Sequence, residues 1–185
     1  MIPDTLKDTE GRMVKAVDSA QQDFATMRTG RANPGLLEKV NVEYYGSTMF
    51  ISQLAAVTAP EPRMLVIAPW DKNAIASIER AITTSDLGLT PSSDGNVIRL
   101  AIPYLTEERR KEMIKLLHKK AEDHRIACRN IRRDTNDKLK ALEKKHEVGE
   151  DESKRAQEQV QKLTDKYIAQ IDKLQEAKAV ELMEV

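Results

Sequence analysis

The sequence predicts an α+β protein of two domains, a long antiparallel three-helix bundle with a small β/α/β domain inserted between its first and second helices. Three observations predict it. Residues 105–142 contain neither Gly nor Pro and carry an apolar seam at alternating spacings of 3 and 4. Similar stripes recur in residues 2–29 and again beyond Gly149. Between Gly35 and Pro103 that period gives way to short alternating runs punctuated by proline and glycine.

Pro3 and Asp4 suit a helix start, and Leu6, Met13, Val17, Ala20, Phe24 and Met27 form the first stripe. Gly30 and the Asn33-Pro34 pair end it. Val40 to Tyr45 alternates as a strand up to Gly46, and Met49-Phe50-Ile51 follows as its hairpin partner. Ala56 to Ala59 and Met64 to Ala68 read as further strands. Asp71 or Asn73 then caps a helix that turns Ile75, Ile78 and Ile82 inward and ends at Ser85 to Gly88. A last hairpin spans Leu89 to Ile102, with Pro91 to Asn96 as its turn.

Thr106 is the expected N-cap of the central helix, with Glu107 and Glu108 at its positive dipole end. Its seam is expected to run through Ile114, Leu117, Ala121, His124, Cys128, Ile131, Thr135, Lys138 and Leu142. On that register Arg125, Arg129, Arg132 and Arg133 all point away from the buried edge. Gly149 is the expected C-cap. Val160, Leu163, Tyr167, Ile171, Leu174, Ala177 or Lys178, and Leu182 make the third stripe. The bundle is expected at 1–29 and 106–185 and the inserted domain at 31–104. The crossings Thr29-Gly30-Arg31 and Pro103-Tyr104-Leu105 serve as a two-strand hinge.

Charge separates the function classes. The 185 residues balance 30 basic against 30 acidic side chains, yet residues 105–145 hold 14 Lys/Arg and 8 Asp/Glu. The central helix is thus a candidate for phosphate contact on an otherwise acidic protein. Within 125–133 the basic residues are four arginines and no lysine, and the planar guanidinium fork suits phosphate better than a solvated ammonium does. Trp70 and the tyrosines lack interleaved basic residues and read as core or ordinary surface rather than as a base-stacking platform. His118, His124 and His146 have no metal-ligand spacing, and no phosphate loop or nucleophile motif is present. No catalytic residue, metal or cofactor is expected, and the chain reads as no enzyme. The single Cys128 lies on the seam, as a small core residue. No apolar run reaches membrane-spanning length and Met1 to Lys15 has no signal-peptide core, so a cytoplasmic location is expected. Charge alone leaves open a solvated coiled-coil adaptor and a general RNA-binding module.

Six separated stretches narrow this further: RTGRANP at 28–34, VEYYG at 42–46, QLAAVT at 53–58, SDLGLTP at 85–91, LTEERRK at 105–111 and RNIRRDTNDKLKAL at 129–142. Through them the chain resembles bacterial ribosome recycling factor over essentially its whole length. The resemblance implies an L-shaped, tRNA-like outline and a monomeric translation factor of the cytoplasm. With elongation factor G and GTP hydrolysis on that partner, such a factor separates the post-termination ribosome into subunits. It further implies that the bundle binds large-subunit ribosomal RNA. By their match to the family's motifs, Arg28, Gly30 and Arg31 form its first turn, Arg109 and Arg110 its helix start, and Arg129, Arg132 and Arg133, beside Arg125, its main RNA contact.

Overall fold

The computed structural model describes residues 1–27 and 29–184. The chain divides into two compact units. One combines Met1–Met27 with Arg110–Met183, and the other runs up to Arg109. The first is all helix: α1 (Ile2–Ala25), α4 (Glu107–Lys144, begun in the second unit) and α5 (Glu150–Met183). The second is α+β.

Side-chain pairing fixes the bundle's directions. Thr9 meets Thr135 and Asp23 meets Lys120, so α1 and α4 are antiparallel. Arg125 meets Asp172 and Arg132 meets Gln161, so α4 and α5 are antiparallel as well. α1 buries Thr9, Met13, Val17, Ala20 and Phe24. It stops at Ala25, ahead of the Gly30 breaker. There Thr26 Oγ1 donates to the Asp23 carbonyl at 2.9 Å and Met27 N–H to the Phe24 carbonyl at 3.1 Å, which tightens the last turn.

α4 is about 57 Å long at the usual helical rise. Its buried row is Met113, Leu117, Ala121, Cys128, Ile131, Thr135 and Leu139, with His124 half-buried between. This corrects the expected seam near each end: Met113 is buried where Ile114 is only half-buried, and Leu139 is buried where Lys138 is exposed, while Leu142 at the expected end is half-buried. The buried positions recur on average about every 3.7 residues, the period of a nearly straight helix, whereas a strict 3.5-residue heptad drifts off the face at each end.

The turn after α4 is a second correction. Gly149 is not its cap. His146 takes the left-handed position at φ 58°, with its N–H on the Glu143 carbonyl at 2.9 Å and the Glu147 N–H on the Leu142 carbonyl at 3.0 Å. Those are the two bonds of a Schellman ending. Gly149 instead starts α5: its carbonyl accepts from Ser153 N–H at 2.9 Å, and Glu152 reaches back to its N–H at 3.4 Å.

The second unit holds β1 (Asn41–Tyr44), β2 (Ser47–Phe50), α2 (Ile51–Leu54), β3 (Ala55–Glu61), β4 (Met64–Pro69), α3 (Ile75–Thr84), β5 (Pro91–Ser93) and β6 (Ile98–Ala101). β1 and β2 form a hairpin whose turn residues, Tyr45 and Gly46, both have positive φ (48° and 77°), the geometry that suits strand twist. The other four strands form an antiparallel sheet in the order β3-β4-β6-β5. Ile75, Ile78 and Ile82 of α3 join Leu65, Ile67, Ile98 and Leu100 in its core.

Two local expectations change here. Ile51 opens α2 instead of extending β2, because Gln53 Oε1 takes the Phe50 N–H at 3.0 Å and turns the chain. Pro91 to Ser93 is strand, so the last turn shrinks to Asp94–Val97. Hydrogen bonds from the Val97 N–H, Arg99 and the Asn96 N–H hold the Asp94 carboxyl well below the usual carboxylate range. Of the two candidate caps before α3, Asp71 is the one used, accepting from Asn73 N–H at 2.9 Å. Pro60 sits in β3 where the pairing with β4 slips between Thr58 and Glu61.

Candidate nucleic-acid interface

Thr106 accepts the Arg109 N–H at 3.1 Å and so starts α4 as its cap. From there one uninterrupted helix presents the central arginines, which fall into two classes. Arg125 is not turned outward. Its side chain is only 17% exposed, with Nε donating to Glu122 at 2.8 Å and one terminal nitrogen donating to Asp172 at 2.7 Å and Gln175 at 2.9 Å on α5. The heptad count overlooks this because acceptors one turn back and on the neighbouring helix draw the long side chain into the crevice between α4 and α5. Arg129 donates to the other oxygen of Glu122 at 2.8 Å. Two guanidinium groups thus lie against two carboxylates, and the bonds from Arg125 and Arg129 hold Glu122 below the usual carboxylate range.

Arg132 and Arg133 differ. Arg132 donates to Gln161 Oε1 at 3.0 Å, and the Gln161 amide is itself turned by its bond to Asp165 at 2.8 Å. A neutral amide orients the guanidinium without cancelling its charge. Arg133 is exposed and has no hydrogen bond or ion pair among the described residues. Uncompensated positive charge on this part of α4 is therefore concentrated at Arg132 and Arg133.

The opposite flank of α4 is tied to α1. Asp23 accepts from Lys120 at 2.5 Å and bonds His124 at 3.0 Å, and the His124 ring stands edge-on to Phe24 with 5.9 Å between centroids. Burial works against the Asp23 charge, but these hydrogen bonds outweigh it and lower the carboxyl pKa. His124 is thus a packed seam residue. Cys128 is buried on the same seam, and burial pushes its thiol up, away from a reactive thiolate.

The remaining candidates lie near the chain crossings. Arg31 pairs with Glu184. Thr29 is buried and its hydroxyl accepts the Arg31 N–H at 3.3 Å around Gly30. Arg110 reaches the Met183 carbonyl at 3.5 Å and so caps the end of α5, while Arg109 stays exposed in the first turn of α4. Pro103 and Tyr104 are exposed and Leu105 is half-buried. Arg28 lies outside the described residues. Among the described residues, no helix is long and apolar enough to cross a membrane, and no group of three or more His, Cys, Asp or Glu could hold a metal ion.

The family model for ribosome recycling factor matches residues 20–183. The chain belongs to the ribosome recycling factor family. Similar family members include the ribosome-recycling factors of Carboxydothermus hydrogenoformans, 58% identical, and Bacillus subtilis, 54% identical, each aligned over 100% of both chains. A solution structure of the ribosome recycling factor superposes with a TM-score of 0.78 at 47% identity, covering 100% of this chain and 98% of the other. A second family structure, from models of the T. thermophilus ribosome recycling factor and E. coli elongation factor G bound to the E. coli post-termination complex, gives 0.70 at 46% identity over 100% of both chains. Long helices beside a small β-sheet unit are the α+β architecture expected of a ribosome recycling factor.

The arginine cluster of this family member is legible in its sequence, whereas the partners of those arginines are not. Gln161, Asp172 and Gln175, which sort the arginines into paired and open, sit 29, 47 and 50 residues away along the chain. The signal available was that Asp172 and Gln175 lie beside the third apolar stripe, flanking Ile171 and Leu174.

Proposed function

We propose that the chain is a cytoplasmic translation factor that separates post-termination ribosomes into subunits together with elongation factor G and GTP. The bundle binds large-subunit ribosomal RNA through α4, with Arg132 and Arg133 supplying the charge-assisted phosphate contacts. Arg125 and Arg129 stiffen that surface from within, and Arg28, Arg31, Arg109 and Arg110 are further RNA contacts by their match to the family's motifs. The bundle, 1–29 and 106–185, is the anchored part. The inserted domain, 31–104, is the part that elongation factor G displaces, swinging about 29–31 and 103–105. The work is mechanical: the chain makes and breaks no covalent bond and carries no cofactor, and GTP is hydrolysed on its partner. The observation that carries this reading is family membership over the full chain, with the two uncompensated arginines side by side on α4.

Light scattering of purified post-termination ribosomes tests it, with the chain, elongation factor G and GTP omitted in turn. The expected result is a fall in scattering that requires all three. Equal binding of the chain to ribosomes and to unrelated RNA would replace this reading with a general RNA-binding module. Absence of ribosome binding would replace it with a helical adaptor.

A further inference from the structure

Both chain crossings are fastened to one short turn. Between β3 and β4, the Pro62 carbonyl accepts the Ala32 N–H at 2.7 Å, and the next carbonyl, that of Arg63, accepts the Ile102 N–H at 2.8 Å. The first bond holds the chain just after Thr29-Gly30-Arg31, and the second holds it just before Pro103-Tyr104-Leu105. At Gly30 the crossings pass so closely that a Cβ there would lie 4.0 Å from the Leu105 nitrogen.

The Arg63 side chain adds a third fastening. Its Nε donates to the Ile102 carbonyl at 3.3 Å, and its guanidinium carbon lies 3.1 Å from the centroid of the Tyr104 ring. Stacked contact of this kind suits a planar, weakly hydrated cation. Tyr104 remains 63% exposed even so, and Ile102, two residues earlier, is buried in the sheet core. Burial therefore fixes the second crossing only as far as Ile102, and the Arg63 stack carries the hold across Pro103 to Tyr104.

We infer that Arg63 is a positioning residue for subunit separation: by clamping Tyr104 it confines the swivel of the second crossing to Leu105. Without the clamp, Pro103 and Tyr104 join the free segment. A push on the inserted domain is then taken up as slack in the linker before it reaches the bundle. This use of the clamp rests on the function proposed above, whereas the clamp itself is a property of the free protein.

Dyes on cysteines introduced by Ser92→Cys and Lys162→Cys report the distribution of interdomain distances by single-molecule energy transfer; the native Cys128 is buried. In Arg63→Ala and in Tyr104→Ala the width is expected to grow by up to about 1.7-fold, the square-root scaling of three free residues against one. The double variant should be no wider than either single variant, and Tyr104→Phe, which keeps the ring, should match the wild type. Splitting by elongation factor G should slow in Arg63→Ala while ribosome affinity holds. Wild-type width in both alanine variants, or widths that add in the double variant, would overturn the clamp. If Arg63→Ala disturbs the sheet, Tyr104→Ala decides the matter from the exposed side. The distances are read without ribosomes, so they judge the clamp independently of whether the chain splits subunits.

Discussion

The hydroxyl oxygens of Thr9 and Thr135 lie 2.8 Å apart inside the bundle, joining α1 to α4 across 126 residues of chain. Each hydroxyl also lies within bonding distance of a carbonyl one turn back in its own helix, Thr5 at 2.7 Å and Ile131 at 2.9 Å. Two protons thus serve three close oxygen pairs, and one helical carbonyl must yield to the other helix. Thr135→Val is expected to lower bundle stability by about 1 kcal/mol in urea unfolding, the net worth of one hydrogen bond. Adding Thr9→Val should cost little more, because two apolar partners of similar shape then face each other. Costs that simply add would show that the hydroxyls act independently.

Arg125 and Arg133 should separate cleanly under mutation. Arg125→Ala removes the guanidinium between Glu122 and Asp172 and is expected to cost about 1 kcal/mol, its carboxylate partners being half-exposed. That corresponds to a fall in Tm of about 2–4 °C. Arg133→Ala should leave Tm unchanged yet weaken ribosome binding by about 1–3 kcal/mol and flatten its salt dependence. Calorimetry and filter binding at two salt concentrations check the pair. A reversed pattern would return Arg125 to the proposed RNA-binding surface.

Tyr44 donates its phenolic hydrogen to Asp71, the residue that also caps the turn before α3. That hydrogen bond to a carboxylate, with lesser help from burial, pushes the phenol up to about 12. A raised folded-state pKa means that stability is fully present below the unfolded value, about 10, and is lost as pH climbs from there toward 12. Asp71→Asn should bring one phenolate transition back toward the ordinary range in ultraviolet absorbance titration. An unchanged titration would mean that Asp71 does not hold the phenol.

His146→Gly is expected to stabilise the protein by about 0.5–1 kcal/mol, since a left-handed C′ position is one that glycine fills without Cβ strain. Thermal unfolding followed by helical circular dichroism reads it. A loss of stability would mean that the imidazole makes a compensating contact.

Much of this fold is legible in the sequence because helices and strands announce themselves by different apolar periods, so the bundle and the inserted sheet are separable before any coordinates. Ile75, Ile78 and Ile82 of α3 are predicted from spacing alone and are buried as a row. What stays illegible depends on partners distant in sequence or on a single backbone angle. Counting heptads places Arg125 outside, and only Asp172 and Gln175 on another helix explain why it turns in. Gly149 attracts the C-cap assignment because glycine favours positive φ, yet the Schellman bonds put that angle at His146. Lys178 is buried because its ammonium finds Glu181 one turn on, at 3.2 Å. The arginine cluster is visible as composition, and its division into paired and open charges emerges only from packing.

The prolines in the outer strands of the four-stranded sheet have a consequence for how the chain behaves in a crowd. β3 and β5 are the two free margins of that sheet, and each contains a residue without an amide hydrogen, Pro60 in one and Pro91 in the other. At Pro60 the ladder with β4 also slips out of register. A second copy approaching either margin meets a missing donor and, along β3, a kinked rail, so it cannot lay down a continuous row of hydrogen bonds. A protein that carries a small sheet with open margins is thereby guarded against growing into stacks of itself.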